Sequence, residues 1–207
     1  YLEIPISILP KVQMSSSNFG TFKYKGVEIP INGVAGDQQS ALFGQACFED
    51  GMIKNTYGTG CFLLMNTGNN FKLSENGLIT TIACSSNDKV NYALEDSVFI
   101  AGAAIQWLRD ALKIINNAAE SEKLAHESNN EDIIFIPAFS GLGAPYWKMN
   151  VKGSIFGITR DTGPKEIVRA VIESVAYQTY DLFEAMRHDG LRPKVVKVDG
   201  GMVMNNW

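Results

Sequence analysis

Three shortages narrow the chemistry of this 207-residue chain. It has three cysteines, Cys47, Cys61 and Cys84, none in Cys-x-x-Cys spacing. Its two histidines, His126 and His188, lie far apart. An odd set of thiols without a paired spacing argues against a disulfide framework, and so few histidines argue against a zinc site. The thiols therefore read as reduced and mostly buried, as in a cytoplasmic protein. Positive charge is also short, with 18 Lys and Arg against 22 Asp and Glu, a net charge of −4 and a pI near 5.2. No basic stripe is present, which excludes a nucleic-acid surface. No apolar run reaches the length of a membrane span, and no charged region followed by an apolar core opens the chain. Met is missing from the first position, and the chain stops soon after a glycine turn, so it reads as a piece of a longer protein.

What is present is enough for a core. Hydrophobic residues make up 45% and charged residues 19%, which suits one good-sized domain, or one domain plus a piece of another. Pro5 and Pro10 mark an irregular start, followed by a short strand at Thr21–Val27 and an apolar one at Ile29–Val34. Asp37 then stands where a helix N-cap belongs, before an amphipathic helix over Gln38–Phe48. Strands are expected at Lys54–Tyr57, Cys61–Asn66, Leu78–Ala83 and Val90–Leu94, with turns such as Asn69-Asn70 and Ser85–Asp88 between them, forming an antiparallel meander. Helices follow at Phe99–Ile115 and Glu120–Ser128, and a strand at Ile133–Pro137. Pro164 opens the longest helix, to about His188, with Ile167, Val171, Val175 and Leu182 along one face. Lys194–Val198 is a strand ending in Asp199-Gly200-Gly201. The class is mixed α/β.

The most informative stretch is Asn55–Phe62, Asn-Thr-Tyr-Gly-Thr-Gly-Cys-Phe, which sets a hydroxyl between two glycines and between two strands. Glycine lacks a Cβ and tolerates positive φ, so such a turn can bring backbone N–H groups and the Thr59 hydroxyl up to phosphate oxygens. Read alone, Gly-Thr-Gly is more often a plain β-turn. Likewise, Asp37 read alone is more often a structural cap than a base.

Longer motifs decide between these readings. Gly36–Gln45, Asn55–Phe62, Ala101–Trp107, Pro137–Trp147 and Val198–Asn206 closely resemble the glycerol kinases. Gly153–Glu173 resembles the second signature of the wider FGGY carbohydrate kinases. The resemblance runs over essentially the whole chain. It implies the actin-like ATPase (ribonuclease H-like) fold, an α/β fold. Residues 1–46 would be the end of the first, substrate domain, and residues 47–207 a second, nucleotide-binding domain truncated at its C-terminus. The implied reaction is ATP-dependent phosphorylation of glycerol to sn-glycerol 3-phosphate. ATP and Mg2+ are the implied cofactors, with the metal ligands in a part of the family absent from this chain. The alternatives are an FGGY kinase for another polyol or sugar, or a non-catalytic nucleotide-binding module of the same fold.

Residue by residue, the resemblance assigns Asp37 as the base that takes the proton of the attacking hydroxyl. Gln38 helps hold the polyol, and Phe62 packs on its carbon chain. Thr59, between Gly58 and Gly60, belongs to the phosphate hairpin. Gly102 and Gln106 lie beside the nucleotide, and Gly201 and Asn205 form the adenosine turn. Cys61 reads as core, and His126 and His188 as solvated helix residues. The loop Ser140–Trp147 reads as structural or as an interface. Relatives inhibited by fructose 1,6-bisphosphate carry a glycine-rich loop with an arginine where this chain has Lys25-Gly26-Val27-Glu28. Glu28 would repel a bisphosphate, so loss of that inhibition is expected. The full-length enzyme is expected to be a homo-oligomer, and this chain alone to be inactive.

Overall fold

The structure is a computed structural model that describes residues 3–85, 89–129 and 132–207. Beyond Ser85, the turn expected at Ser85–Asp88 lies outside the described residues. A hairpin of β1 (Thr21–Tyr24) and β2 (Val27–Pro30) comes first. It is followed by α1 (Asp37–Gly44), β3 (Met52–Tyr57), β4 (Cys61–Gly68), β5 (Ile79–Ile82) and β6 (Tyr92–Val98). Helices α2 (Gly102–Asp110) and α3 (Glu120–Glu127) precede a small antiparallel pair, β7 (Ile134–Ile136) and β8 (Ser154–Phe156). The long helix α4 (Pro164–His188) leads to β9 (Val195–Asp199) and a final 3-10 turn at Gly201–Met204.

Five strands form the central sheet, in the order β5-β6-β4-β3-β9. All neighbours are antiparallel except β3 and β9, which run parallel. The order corrects the expected meander, because β6 inserts between β4 and β5. Strand β6 begins and ends later than the sequence suggests. Its alternation of buried Leu94, Asp96 and Val98 continues past Leu94, hidden by the charge of Asp96.

Pairing puts alternate residues on opposite faces. One face carries Ile53, Cys61, Leu63, Met65, Leu94 and Val98 and packs against Val175, Leu182, Ala185 and Met186 of α4. The other carries Leu64 and Ala93 and packs against Leu42 of α1 together with Cys47. The outer half of α2, β7 and the first half of α4 make a second core around Leu108, Phe135, Val168 and Val171. Helix α4 matches its expected range, with Pro164 in the first turn and Glu166 Oε2 accepting from the Gly163 amide at 2.9 Å.

Two helices end sooner than their apolar periodicity implies. Helix α1 stops at Gly44 because Ala46 takes a left-handed conformation (φ 52°). The Cys47 amide then bonds back to the Leu42 carbonyl at 3.1 Å, the wrap that terminates helices. Helix α2 covers only Gly102–Asp110 of the expected Phe99–Ile115. Lys113 is left-handed (φ 59°), and the chain folds back to bury Ile115 while leaving Leu112 exposed. Asp37 is the first residue of α1, not its cap; Gly36 holds the cap position with no side-chain bond. The three thiols are free, Cys47 and Cys61 buried and Cys84 partly so. Burial pushes the Cys61 thiol up to about 12, consistent with an inert core residue. Among the described residues, no helix is long and apolar enough to cross a membrane.

Candidate functional site

The turn Gly58–Gly60 joins β3 to β4, whose last facing pair is Tyr57 and Cys61. Neither glycine is at positive φ, so left-handed backbone is not the reason for them. Close approach is. A Cβ on Gly60 would lie 3.0 Å from the Phe99 carbonyl oxygen, and one on Gly102 would lie 2.6 Å from that of Gly58. The turn is thereby pressed against the start of α2. The Gly102 amide donates to the Gly58 carbonyl at 3.0 Å, and the Ala101 and Ala103 amides donate to the Thr59 carbonyl at 2.9 and 3.0 Å. Peptide planarity then points the Thr59 and Gly60 N–H groups away from α2. Thr59 itself is exposed, and its hydroxyl has no hydrogen-bond partner among the described residues.

Beside this turn lies a cavity of about 480 Å³, bounded by the Gly58-Thr59 turn, α2, the start of α3 and the 3-10 turn after β9. Thr59, Gly102, Gln106, Gly201 and Asn205 all line it. Its other walls come from residues not singled out in the sequence, among them Arg109, Ser121, Glu122 and Met202. Gly200 (φ 96°) sits so close to Tyr57 that a Cβ would come 2.6 Å from the Tyr57 carbonyl carbon, whereas a Cβ on Gly201 would meet open space. Asn205 is held from both ends: its Nδ2 donates to Ser121 Oγ at 3.3 Å, and its Oδ1 accepts from the Trp207 amide at 2.9 Å.

A second cluster occupies the α1 face of the sheet, at the same strand ends. Asp37 is exposed, and its Oδ1 accepts from the Gln38 amide at 2.8 Å. Phe62 faces outward from β4 and is 39% exposed, so it is not a core phenylalanine. Between them is a residue the sequence reading missed. Lys54, at 0% exposure, donates to the Gln38 side-chain oxygen, to the Phe62 carbonyl at 2.9 Å and to Thr56 Oγ1 at 3.4 Å. Burial pushes its pKa down, and the charges of Asp199, Glu95 and Asp37 push partly back. The signal was available: strand alternation pairs Lys54 with Met52 and Thr56 on one face, a position where a solvated lysine is unexpected.

Asp199 connects the two clusters. It sits opposite Thr56 at the end of β9, one residue before the glycine pair. Burial raises its pKa, but the Thr56 hydroxyl, the Gln45 amide and the Lys54 charge outweigh that and hold it below the usual carboxylate range. Its Oδ2 accepts from Gln45 Nε2 at 2.6 Å, and Lys197 Nζ donates to the Gln45 carbonyl at 2.6 Å. The C-terminal end of α1 is thus clamped to β9. Among the described residues, no group of three or more His, Cys, Asp or Glu is gathered to hold a metal ion. His126 and His188 are exposed on their helices. The Ser140–Trp147 loop is fixed by Trp147 Nε1 donating to the Gly77 carbonyl at 2.6 Å and by Tyr146 Oη donating to Asp181 at 2.8 Å.

Residues 53–207 match the FGGY family of carbohydrate kinases, C-terminal domain. Glycerol kinase 2 of Thermotoga maritima is 60% identical over 210 residues, covering 100% of this chain and 42% of that protein. Glycerol kinase 1 of Pseudomonas aeruginosa is 55% identical over 208 residues, 99% of this chain and 42% of the relative. The chain therefore spans about two fifths of the length of these relatives. A crystal structure of Plasmodium falciparum glycerol kinase with ADP superposes with a TM-score of 0.86 at 42% identity, over 97% of this chain and 41% of that one. A xylulose kinase from Rhodospirillum rubrum, 18% identical, shares the fold with a TM-score of 0.81, over 98% of this chain and 42% of that one. The fold is that of the actin-like ATPases, and the chain belongs to the FGGY family of carbohydrate kinases, whose C-terminal domain it carries.

Proposed function

We propose that the full-length gene product is a cytoplasmic glycerol kinase, converting glycerol and ATP to sn-glycerol 3-phosphate and ADP. One observation carries the reading. A polar cluster around Asp37, Gln38 and Phe62 and a cavity of about 480 Å³ lie at the same ends of β3, β4 and β9. That is the arrangement needed to bring a hydroxyl to a terminal phosphate. The residues also suit a nucleotide: Gly201 leaves room at the backbone for a ribose or base, and Thr59 is an exposed turn residue whose N–H faces away from α2, suited to phosphate oxygens.

ATP supplies the phosphoryl group, and Mg2+ would offset its charge; among the described residues no cluster of acidic, Cys or His side chains is gathered to ligate that ion. Asp37 accepts the proton of the attacking glycerol hydroxyl as that oxygen bonds to phosphorus. Gln38 hydrogen-bonds a glycerol hydroxyl, and Phe62 covers the carbon chain. Thr59, Gly102, Gln106, Gly201 and Asn205 form the nucleotide site. The domain division is drawn at 46/47: residues up to 46 close the substrate domain, and those from 47 form the nucleotide domain. The enzyme is proposed to be a homo-oligomer, and this chain alone to be inactive.

The test is glycerol-dependent ADP production by the full-length gene product, with Asp37→Asn and a panel of other polyols alongside. The expected result is turnover of glycerol and a loss of about two or more decades of rate in Asp37→Asn. A fully active Asp37→Asn would make the aspartate structural, and turnover of another polyol in place of glycerol would overturn the substrate.

A further inference from the structure

Lys54 is the largest side chain buried at 0% exposure, and its surroundings are unusual for a buried cation. An ammonium has three N–H groups, and here all three are used, on Gln38 Oε1, the Phe62 carbonyl and the Thr56 hydroxyl. These partners are neutral. Among the described residues no carboxylate lies within ion-pair distance of Nζ, and Asp37, Asp199 and Glu95 act on it only from further off. A buried charge with neutral partners is costly to hold in place, so the site is built around it. The partners come from three elements: the first turn of α1, β3 and the start of β4.

We propose that Lys54 is a positioning residue for the acceptor alcohol: its buried ammonium sets the Gln38 amide and the Phe62 backbone at a fixed separation. This rests on the reading above that this face receives glycerol. With its oxygen turned toward Lys54, the Gln38 amide directs its NH2 group the other way, as the donor it offers a ligand. The tripod thus selects a hydroxyl acting as acceptor toward Gln38, leaving that hydroxyl's own proton for a carboxylate. Removing the ammonium frees the amide to rotate and turn its oxygen outward. Because burial pushes Lys54 down from the ordinary lysine range, alkaline conditions release the same constraint in the unmutated protein.

The experiment is steady-state kinetics of the full-length gene product with Lys54→Met, Lys54→Gln, Gln38→Leu and the Lys54→Met/Gln38→Leu double variant. For Lys54→Met, KM for glycerol is expected to rise about 10-fold while KM for ATP stays within about 2-fold. KM for glycerol should climb at alkaline pH in the wild type and stay flat in Lys54→Met. The double variant should be no worse than Gln38→Leu alone. An unchanged KM for glycerol, equal rises in both KM values, or additive effects in the double variant would overturn the proposal. If neither Lys54 variant folds, the comparison of wild type with Gln38→Leu decides: an alkaline climb in the wild type alone supports it, and the same climb in both overturns it. A wild type that ignores glycerol sinks the functional reading and this inference together. A wild type that phosphorylates glycerol, beside unaltered variants, sinks this inference only.

Discussion

Among the described residues, each face of the central sheet buries one side chain of the Asp, Glu, Lys and Arg set, and the two are held in different ways. Beneath α4, Asp96 is 2% exposed among Leu63, Leu94 and Val98. One of its oxygens accepts from the Ser97 amide at 2.6 Å, and the other has no partner among the described residues. Beneath α1, Lys54 has a partner for every N–H. Burial pushes the Asp96 carboxyl up to about 7, with Glu95 adding to the rise and the Ser97 amide opposing it. The α4 face is thus an apolar core carrying one ill-fitting acid, whereas the α1 face is a polar network with an open rim. An unpaired buried acid lowers stability; a fully bonded buried cation fixes neighbouring groups.

The sharpest way to break this contrast uses consecutive residues of β4 that point to opposite faces. Leu63→Ala on the α4 face should cost about 3 kcal/mol in urea unfolding and leave KM for glycerol unchanged. Phe62→Ala on the α1 face should cost under about 1 kcal/mol and raise KM for glycerol several-fold. Similar stability losses at both positions would erase the distinction.

Asp96→Asn comes next. Because the folded carboxyl holds its proton up to about pH 7 and the unfolded one releases it near pH 4, the native state binds more protons between those values. The contribution of Asp96 to stability is therefore fullest below about pH 4, falls as pH rises toward 7, and is flat beyond. Asp96→Asn removes that fall, so its gain in unfolding free energy should be greater at pH 8 than at pH 5 by on the order of 2 kcal/mol. Equal gains at both values would show that the acid is not protonated in the fold.

The smallest effect is expected from Lys197→Met. Lys197 Nζ holds the carbonyls of Gln45 and Ala46 at 2.6 and 3.3 Å, where a cation also suits the C-terminal end of a helix. The loss should be about 1 kcal/mol, with protection of the last α1 amides in hydrogen exchange reduced first. Unchanged exchange there would mean that Leu42 and the Gln45–Asp199 hydrogen bond hold α1 without the lysine.

The sequence displays α4 because a proline start, a 3.6-residue apolar stripe and a 25-residue length are local properties. It displays the glycine turn and the Asp37 helix start for the same reason. The position of β6 was hidden, since its pairing with both β4 and β5 is long-range. The ends of α1 and α2 were hidden too, because Ala46 and Lys113 adopt left-handed backbone without the glycine that usually advertises it. Lys54 and Asp96 escaped notice because a charge in a strand ordinarily marks the solvent side, and here tertiary packing overrides that rule. The short β8 was missed because its three residues are too few for a period.

The segment before α1 follows a different rule. Both strands of its hairpin are exposed throughout, and Phe22, Tyr24, Val27 and Ile29 all face solvent. An isolated hairpin of this size is marginal in water. Under the proposed domain division these residues close another domain, and their apolar surface is its share of that core.

The weld between the Gly58–Gly60 turn and α2 has one more outcome. With three helix-start amides bonded to the Gly58 and Thr59 carbonyls, neither peptide plane can flip without unzipping the first turn of α2. The orientation of those dipoles is therefore set during folding and not upon arrival of a ligand. Under the proposed function, a phosphate arriving at this turn would meet an amide already aimed, with no backbone rearrangement needed at the moment of transfer.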